Sequence, residues 1–312
     1  MANSPQPVFV VGTARSGTSY LHSLLNQHPL IRLSYESKLP LEGRQCYQQR
    51  SNLDSFLGFN RLLDDFIAME SGEDQNNWLV QAIERNRQLL FERHRKHPSF
   101  ADLVRDIFEL DGSILCFGNK MLRAEMCPQI LSIWPNARFI VLMRDPRAVV
   151  SSQLKRFKGR RLPYAAIYCD IHFKWSFAHA VNRKNFLILS YEKFISSPLP
   201  GLEKILTFCG IQDTFYARQM LSKKPARSHA MNKWQERLTQ NQIRQIESYC
   251  FHTMQKAGYN PRLALHQKQV SILEKCIEIG FEKKTGPFLR APKMETKKHD
   301  TPILKLGPFI SA

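Results

Sequence analysis

With 312 residues, 43% of them apolar and 23% charged, the chain can bury one sizeable core and has the make-up of an ordinary water-soluble globular protein. No run reaches the roughly 18 consecutive apolar residues that a spanning helix needs; the seven scattered cysteines, with no C-x-x-C pair, point to neither a disulfide framework nor a zinc site. A formal charge of +18 predicts an anionic partner: nucleotide, phosphorylated or sulfated substrate, nucleic acid or membrane surface.

The first residues carry no secretory signal, because Pro5 and Pro7 precede a short apolar run that stops at Gly12. A cytoplasmic location is expected. Val8 to Val11 read as a short buried strand, β-branched and aromatic. "GTARSGTS", Gly12 to Ser19, is a small-residue turn. Thr18 to Gln27 then read as a helix with Tyr20, Leu21, Leu24 and Leu25 at helical spacing, ended by Pro29. Residues 41 to 110, rich in Gln, Asn, Arg and Glu, read as mostly helical; "NNWLVQAIERNRQLLFERH" and "SFADLVRDIFEL" are the clearest pieces. A second buried strand, Ala137 to Met143, leads into "DPRAVVSSQLKRF" as a helix, and Asn185 to Ser190 supply a third strand. "LTQNQIRQIESYCFHTMQKAGY" opens with a capping box, Thr239 with Gln242, and stops at Gly258. Leu263 to Lys284 form one more helical piece, and the remainder from Thr285 reads as a partly ordered tail.

Strands separated by helical stretches imply an α/β fold, a parallel sheet with helices on both faces. Residues 1–262 form its domain, with 41–110 as a helical insertion, and 263–312 a C-terminal helix and tail. Ligands of such sheets bind beyond the carboxyl ends of the strands, where both the Gly12 and the Arg144 turns fall. Gly12 and Gly17 let the backbone approach an anion, and the helix that follows adds its positive end. Against the pattern G-x-x-x-x-G-K-[ST], Gly12, Gly17 and Ser19 fit, but Thr18 occupies the lysine position and Arg15 is the cation of the loop. The second turn offers two guanidiniums, Arg144 and Arg147, and two hydroxyls, Ser151 and Ser152, beside another helix N-terminus. Arg144 and Asp145 also fit a simple cap and ion pair.

Together, "RSGT" after the first strand and "RDPR" followed by serines resemble the sulfotransferases that use 3′-phosphoadenosine 5′-phosphosulfate (PAPS), in the branch related to tyrosylprotein sulfotransferases. The resemblance runs from about Val8 to Pro261 and implies a P-loop-like central parallel sheet. It implies that Arg15, Ser16, Gly17, Thr18 and Ser19 meet the 5′ end of the cofactor, and Arg144, Ser152 and Arg156 its 3′-phosphate. Tyr191 in "SYEKF", and Ser228 and Lys233 in "RSHAMNKW", match the family's other nucleotide contacts. Glu36 stands where the family carries its catalytic base, with Glu42 as a second candidate. With Asn119 before it, Lys120 matches the lysine of the family's "DK" or "NK" segment, which stabilises the leaving oxygen, although Met121 and Leu122 replace the residues that usually follow. Arg15 would share the developing charge, and Lys38 reads as a solvated lysine.

The histidines show no H-E-x-x-H or comparable spacing, so no metal is expected, and His28 beside Pro29 reads as a helix-end residue. A P-loop kinase or NTPase would need the lysine that Thr18 replaces and a magnesium-binding acid after a strand. A basic nucleic-acid-binding module would need clustered cations interleaved with stacking aromatics, whereas here the cations are dispersed. The partner expected is a hydroxyl-bearing acceptor, with sugar, lipid, small molecule and tyrosyl peptide all open, and residues 41–110 are expected to form its site.

Overall fold

Five short strands carry the molecule: β1 (Gln6–Val11), β2 (Ile31–Tyr35), β3 (Cys116–Met121), β4 (Arg138–Met143) and β5 (Phe186–Ser190). All their pairings are parallel, in the order β2-β3-β1-β4-β5. The structure is a computed structural model and describes residues 4–71, 76–110, 112–180, 184–226 and 231–263. Strands in one direction put all five carboxyl ends along a single edge, and the register sets Lys120 of β3 between Val10 of β1 and Tyr35 of β2.

Helices cover both faces, so the central strands read as continuous apolar runs. After α1 (Thr18–Leu25) come α2 (Arg44–Gln49), α3 (Phe56–Glu70), α4 (Asn77–Arg85), α5 (Arg87–Lys96) and α6 (Phe100–Phe108). Then follow α7 (Cys127–Ile133), α8 (Pro146–Arg156), α9 (Leu162–Ala180), α10 (Tyr191–Ser196), α11 (Pro198–Phe208) and α12 (Thr214–Lys223). The described chain ends with α13 (Trp234–Arg237), α14 (Gln240–Tyr249) and α15 (Phe251–Lys256). Phe9, Val11, Phe117, Phe139 and Val141 pack on one face against Phe59 and Phe66 of α3, Ile107 of α6 and Phe173 of α9. Val8, Val10, Ile140 and Leu142 alternate to the other face, against Leu21 and Leu24 of α1, Ile205 of α11 and Met220 of α12. Among the described residues no helix is long and apolar enough to cross a membrane.

The three expected strands are present within a residue or two, and the helical reading of 41–110 holds in α2 to α6. Two strands were not expected. β2 alternates Ile-Arg-Leu-Ser-Tyr and forms an edge, where unpaired backbone groups need other partners. Asn26, just beyond α1, supplies one set: its amide donates to Leu33 O (2.8 Å) and accepts from Leu33 N (2.7 Å). Asn76 treats Tyr35 in the same way, at 3.0 and 2.9 Å. The side-chain amides stand in for a neighbouring strand, and they explain why α1 stops at Leu25 rather than Gln27. β3, "CFGNKM", contains Gly, Asn and Lys, yet every residue of it is buried. The capping box of Thr239 and Gln242 is present, but the helix it opens breaks at Cys250, whose thiol donates to Ala166 O of α9 (3.3 Å). The C-terminal helix expected from Leu263 and the tail after it lie outside the described residues.

Gly118 is the position that lets β3 lie against β1, since a Cβ there would sit 1.9 Å from Val8 O. Gly118→Ala should therefore cost at least about 2 kcal/mol of unfolding free energy. Urea denaturation checks it, and a loss of a few tenths would mean that the strands pair less closely than described.

Candidate active site

The loop after β1 is shaped by its own side chains. Ser16, fully buried, donates its hydroxyl (2.7 Å) and its N–H (3.0 Å) to Thr13 O. Its polar groups thus fold the loop. Arg15 (φ 75°) and Gly17 (φ 103°) both take the left-handed conformation. Gly17 also has no room for a side chain: a Cβ would lie 2.5 Å from the Tyr191 ring. The N–H groups of the first turn of α1, with Thr18 buried and Ser19 exposed, have no partners inside the helix and point toward the space above the loop.

Hydrogen bonds stitch the second turn to the first. Arg15 Nε donates to Ser152 Oγ (3.0 Å), Arg144 Nη1 to Arg15 O (3.1 Å), and Gln153 Nε2 to Ala14 O (3.1 Å). The Arg144 guanidinium also lies 4.4 Å above the Tyr191 ring. Arg15, Arg144, Ser152, Tyr191 and Gly17 are therefore brought together. Arg156 ends α8 one turn beyond Ser152, exposed on the same face. Lys233 is the N-cap of α13, and Ser228 lies outside the described residues.

Arg147 corrects the expectation of two outward guanidiniums. It is buried, bonded to Asp145 (2.7 Å) and Glu247 (2.7 Å), and lies 4.4 Å over Trp234. These carboxylates outweigh desolvation and raise its pKa. Its partner Asp145 also caps α8, so this arginine locks the turn to α14 and is spent on structure. Ser151 likewise points inward, buried, while Ser152 faces the loop.

Glu36 and Lys120 meet at the ends of β2 and β3. Lys120 has a side chain only 2% exposed, and its ammonium is paired with the Glu36 carboxylate and lies 4.3 Å from the centre of the Tyr35 ring. Glu36 is left-handed (φ 49°), a conformation that costs a residue with a Cβ about 1–2 kcal/mol. Three groups hold it there. Glu36 N donates to Lys120 O (2.8 Å), and Asn119 accepts from Ser37 N (3.1 Å) and donates to Ser37 O (2.9 Å). The buried Glu70 carboxylate accepts from Ser37 Oγ (2.7 Å), Lys38 N (2.9 Å), Leu39 N (3.1 Å) and Asn76 (2.7 Å). Asn119, next to Lys120, is thus a side chain that fixes the glutamate's turn. Glu70, Asn76 and Tyr35 escaped the sequence reading; the alternation of Ile31 to Tyr35 is the one local signal that could have marked a strand here.

A cleft of about 1420 Å³ opens beside Glu36. Among the described residues of region 41–110, only the π-helical turn Leu39–Gly43, α2 and Met69 reach it; the opposite wall comes from Asn119, Met121 to Arg123, the start of α7 and Tyr168. Lys38 and Glu42 are both exposed on its rim, so Glu42 faces the same space as Glu36. Burial raises the pKa of Tyr168, whose hydroxyl donates to Leu122 O (3.3 Å) and keeps a neutral wall. His28 is buried away from this site, 3.9 Å from Asp213, and burial lowers its pKa. Among the described residues no group of His, Cys, Asp and Glu is arranged to hold a metal.

Residues 7–215 match a family model described as "Sulfotransferase family". A putative protein-tyrosine sulfotransferase of Caenorhabditis briggsae is 23% identical over 239 residues, which cover 71% of this chain and 70% of that protein. Protein-tyrosine sulfotransferase 2 of Gallus gallus is 24% identical over 239 residues, 70% of this chain and 55% of that protein. Among solved structures, the sulfotransferase domain of the Synechococcus PCC 7002 olefin synthase superposes with a TM-score of 0.52 at 17% identity, over 79% of this chain and 95% of that one. The sulfotransferase domain of the curacin biosynthetic pathway gives 0.52 at 16%, over 82% and 98%. At these identities the superpositions speak for the fold.

The role of Arg147 is open to direct test. Arg147→Ala strands the buried carboxylates of Asp145 and Glu247, and should lower the unfolding free energy by about 3–5 kcal/mol. A loss below about 1 kcal/mol in urea denaturation would return Arg147 to the pool of ligand-binding cations.

Proposed function

Because the chain belongs to the sulfotransferase family, whose members take their sulfuryl group from PAPS, we propose that Glu36, Lys120 and Arg15 carry its transfer to a hydroxyl lying in the cleft. The observation that carries this assignment is the Glu36–Lys120 pair, built onto adjacent strand ends beside the loop, with Glu36 facing the open cleft and Lys120 almost fully buried.

Sulfuryl transfer is an in-line displacement in which positioning and charge stabilisation do most of the work. The acceptor oxygen bonds to sulfur as the bond from sulfur to the 5′-phosphate oxygen breaks. Glu36 accepts the acceptor's proton, and 3′-phosphoadenosine 5′-phosphate (PAP) leaves. The N–H groups opening α1, with Thr18 and Ser19, hold the phosphosulfate. Arg144, Ser152 and Arg156 hold the 3′-phosphate, Arg15 joins the two ends, and Tyr191 and Lys233 complete the nucleotide's surroundings. Lys120 serves the leaving oxygen, so its ammonium turns from Glu36 as charge grows there, and the freed carboxylate takes the proton.

The acceptor bears a hydroxyl. A tyrosyl side chain of a peptide is the one to test first, since the relatives carry that name and the cleft has room for an extended segment. Sugar, lipid and small-alcohol acceptors belong in the same panel.

With such an acceptor and saturating PAPS, Glu36→Gln should lower kcat by ~10²–10⁴ and leave PAP affinity nearly unchanged. Lys120→Ala should lower kcat by roughly 10²–10³ and also weaken PAP, because part of the charge it meets is present in the ground state. Steady-state rates beside calorimetric PAP titrations decide the matter. Unimpaired turnover in Glu36→Gln would transfer the base role to Glu42.

A further inference from the structure

Tyr35 touches both halves of the site. Its hydroxyl oxygen lies 2.9 Å from Ser19 Oγ in the first turn of α1, and its ring face lies 4.3 Å from the Lys120 ammonium. It immediately precedes Glu36. The backbone of Tyr35 is held at both N–H and C=O by Asn76, itself held by Glu70, and His22 packs edge-on against the ring with centroids 5.3 Å apart. Burial lowers the His22 pKa, with the Lys120 charge contributing, so the ring beneath Tyr35 stays neutral. Tyr35 is thus fixed from its backbone outward, while its two functional surfaces meet different parts of the machinery.

We propose that Tyr35 is a positioning residue for sulfuryl transfer: its hydroxyl aims Ser19 at the phosphosulfate, and its ring seats Lys120 beside Glu36. The proposal rests on the sulfotransferase reading of the site. A serine hydroxyl has a single proton to give. When the more acidic phenol donates to Ser19 Oγ, the serine proton is left to point at the anion above the loop, and the two bonds in series strengthen each other. The ring face, for its part, stabilises an ammonium that is almost out of water without using any of its N–H groups. Those groups remain for Glu36 and for the donor's leaving oxygen. A tyrosine that merely filled the edge of β2 would influence stability alone, and its hydroxyl would act independently of Ser19.

A double-mutant cycle separates these cases without knowledge of the acceptor. PAP binding is measured by calorimetry for the full chain and for Ser19→Ala, Tyr35→Phe and the double variant, with thermal midpoints recorded for each. Tyr35→Phe should weaken PAP about 3–10-fold, and adding it to Ser19→Ala should change affinity by less than about twofold. Losses that simply multiply, or a Tyr35→Phe protein that binds PAP like the unaltered chain, would overturn the proposal while leaving the sulfotransferase reading intact. An unaltered chain that fails to bind PAP would overturn both. A second arm uses Tyr35→Leu, which also removes the ring. Its PAPS turnover, with a tyrosyl peptide or a simple phenol as acceptor, should fall at least about tenfold below that of Tyr35→Phe. Equal turnover in the two variants would deny the ring its part in seating Lys120.

Discussion

An ammonium held almost out of water dictates the shape of this site. Taking a charge out of water costs several kcal/mol unless a partner meets it, and Lys120 is on a strand buried along its whole length. Its partners are the Glu36 carboxylate and the Tyr35 ring, neighbours in sequence that approach from β2. To bring both against one ammonium, the chain must leave β2 abruptly, and Glu36 takes up its left-handed turn. That turn is held in place by the Lys120 carbonyl, Asn119 and Glu70, the last braced by Asn76. Side chains that satisfy the backbone at the end of an edge strand and just beyond it therefore hold a carboxylate at the mouth of a cleft and a nearly buried cation against it.

Parallel pairing supplies the rest. With every strand running one way, the loop after β1, the turn after β4, Lys120, Glu36 and Tyr191 share one edge without any special folding of the chain. Bonds from Arg15, Arg144 and Gln153 then hold the first two turns at a set distance. For a reaction that depends on placing a donor and an acceptor in line, a fixed spacing between the two turns proposed to hold the nucleotide is the useful property. Arg147 contributes by the opposite route, giving up ligand contact to anchor its turn on α14.

The parts of this arrangement most legible in the sequence are those where local chemistry and global position agree. Val8 to Val11 and Ala137 to Met143 read as strands because both faces are covered and every residue but Arg138 is apolar. The glycines of the first loop and the arginines of the second turn carried enough chemistry to suggest an anion site and a family. β3 was hidden because Gly118, Asn119 and Lys120 break the apolar pattern for reasons of packing and charge placement: close approach to β1, support of the Glu36 turn, and the cation itself. The separate fates of Arg144 and Arg147 depend on Glu247, a hundred residues away, which no local pattern could supply. Glu70 looked like any polar residue at the end of a helix, and only the fold brings it against the backbone of 37–39.

The account stands on a single site in which the two turns hold the two ends of one nucleotide and Lys120 connects that nucleotide to Glu36. A crystal structure of the chain with PAP tests this most directly. It should have the 5′-phosphate on the N–H groups that open α1, the 3′-phosphate between Arg144 and Ser152, and the Lys120 ammonium about 2.8 Å from a 5′-phosphate oxygen. A nucleotide bound elsewhere, or one seated in the loop with Lys120 still directed only at Glu36, would contradict it.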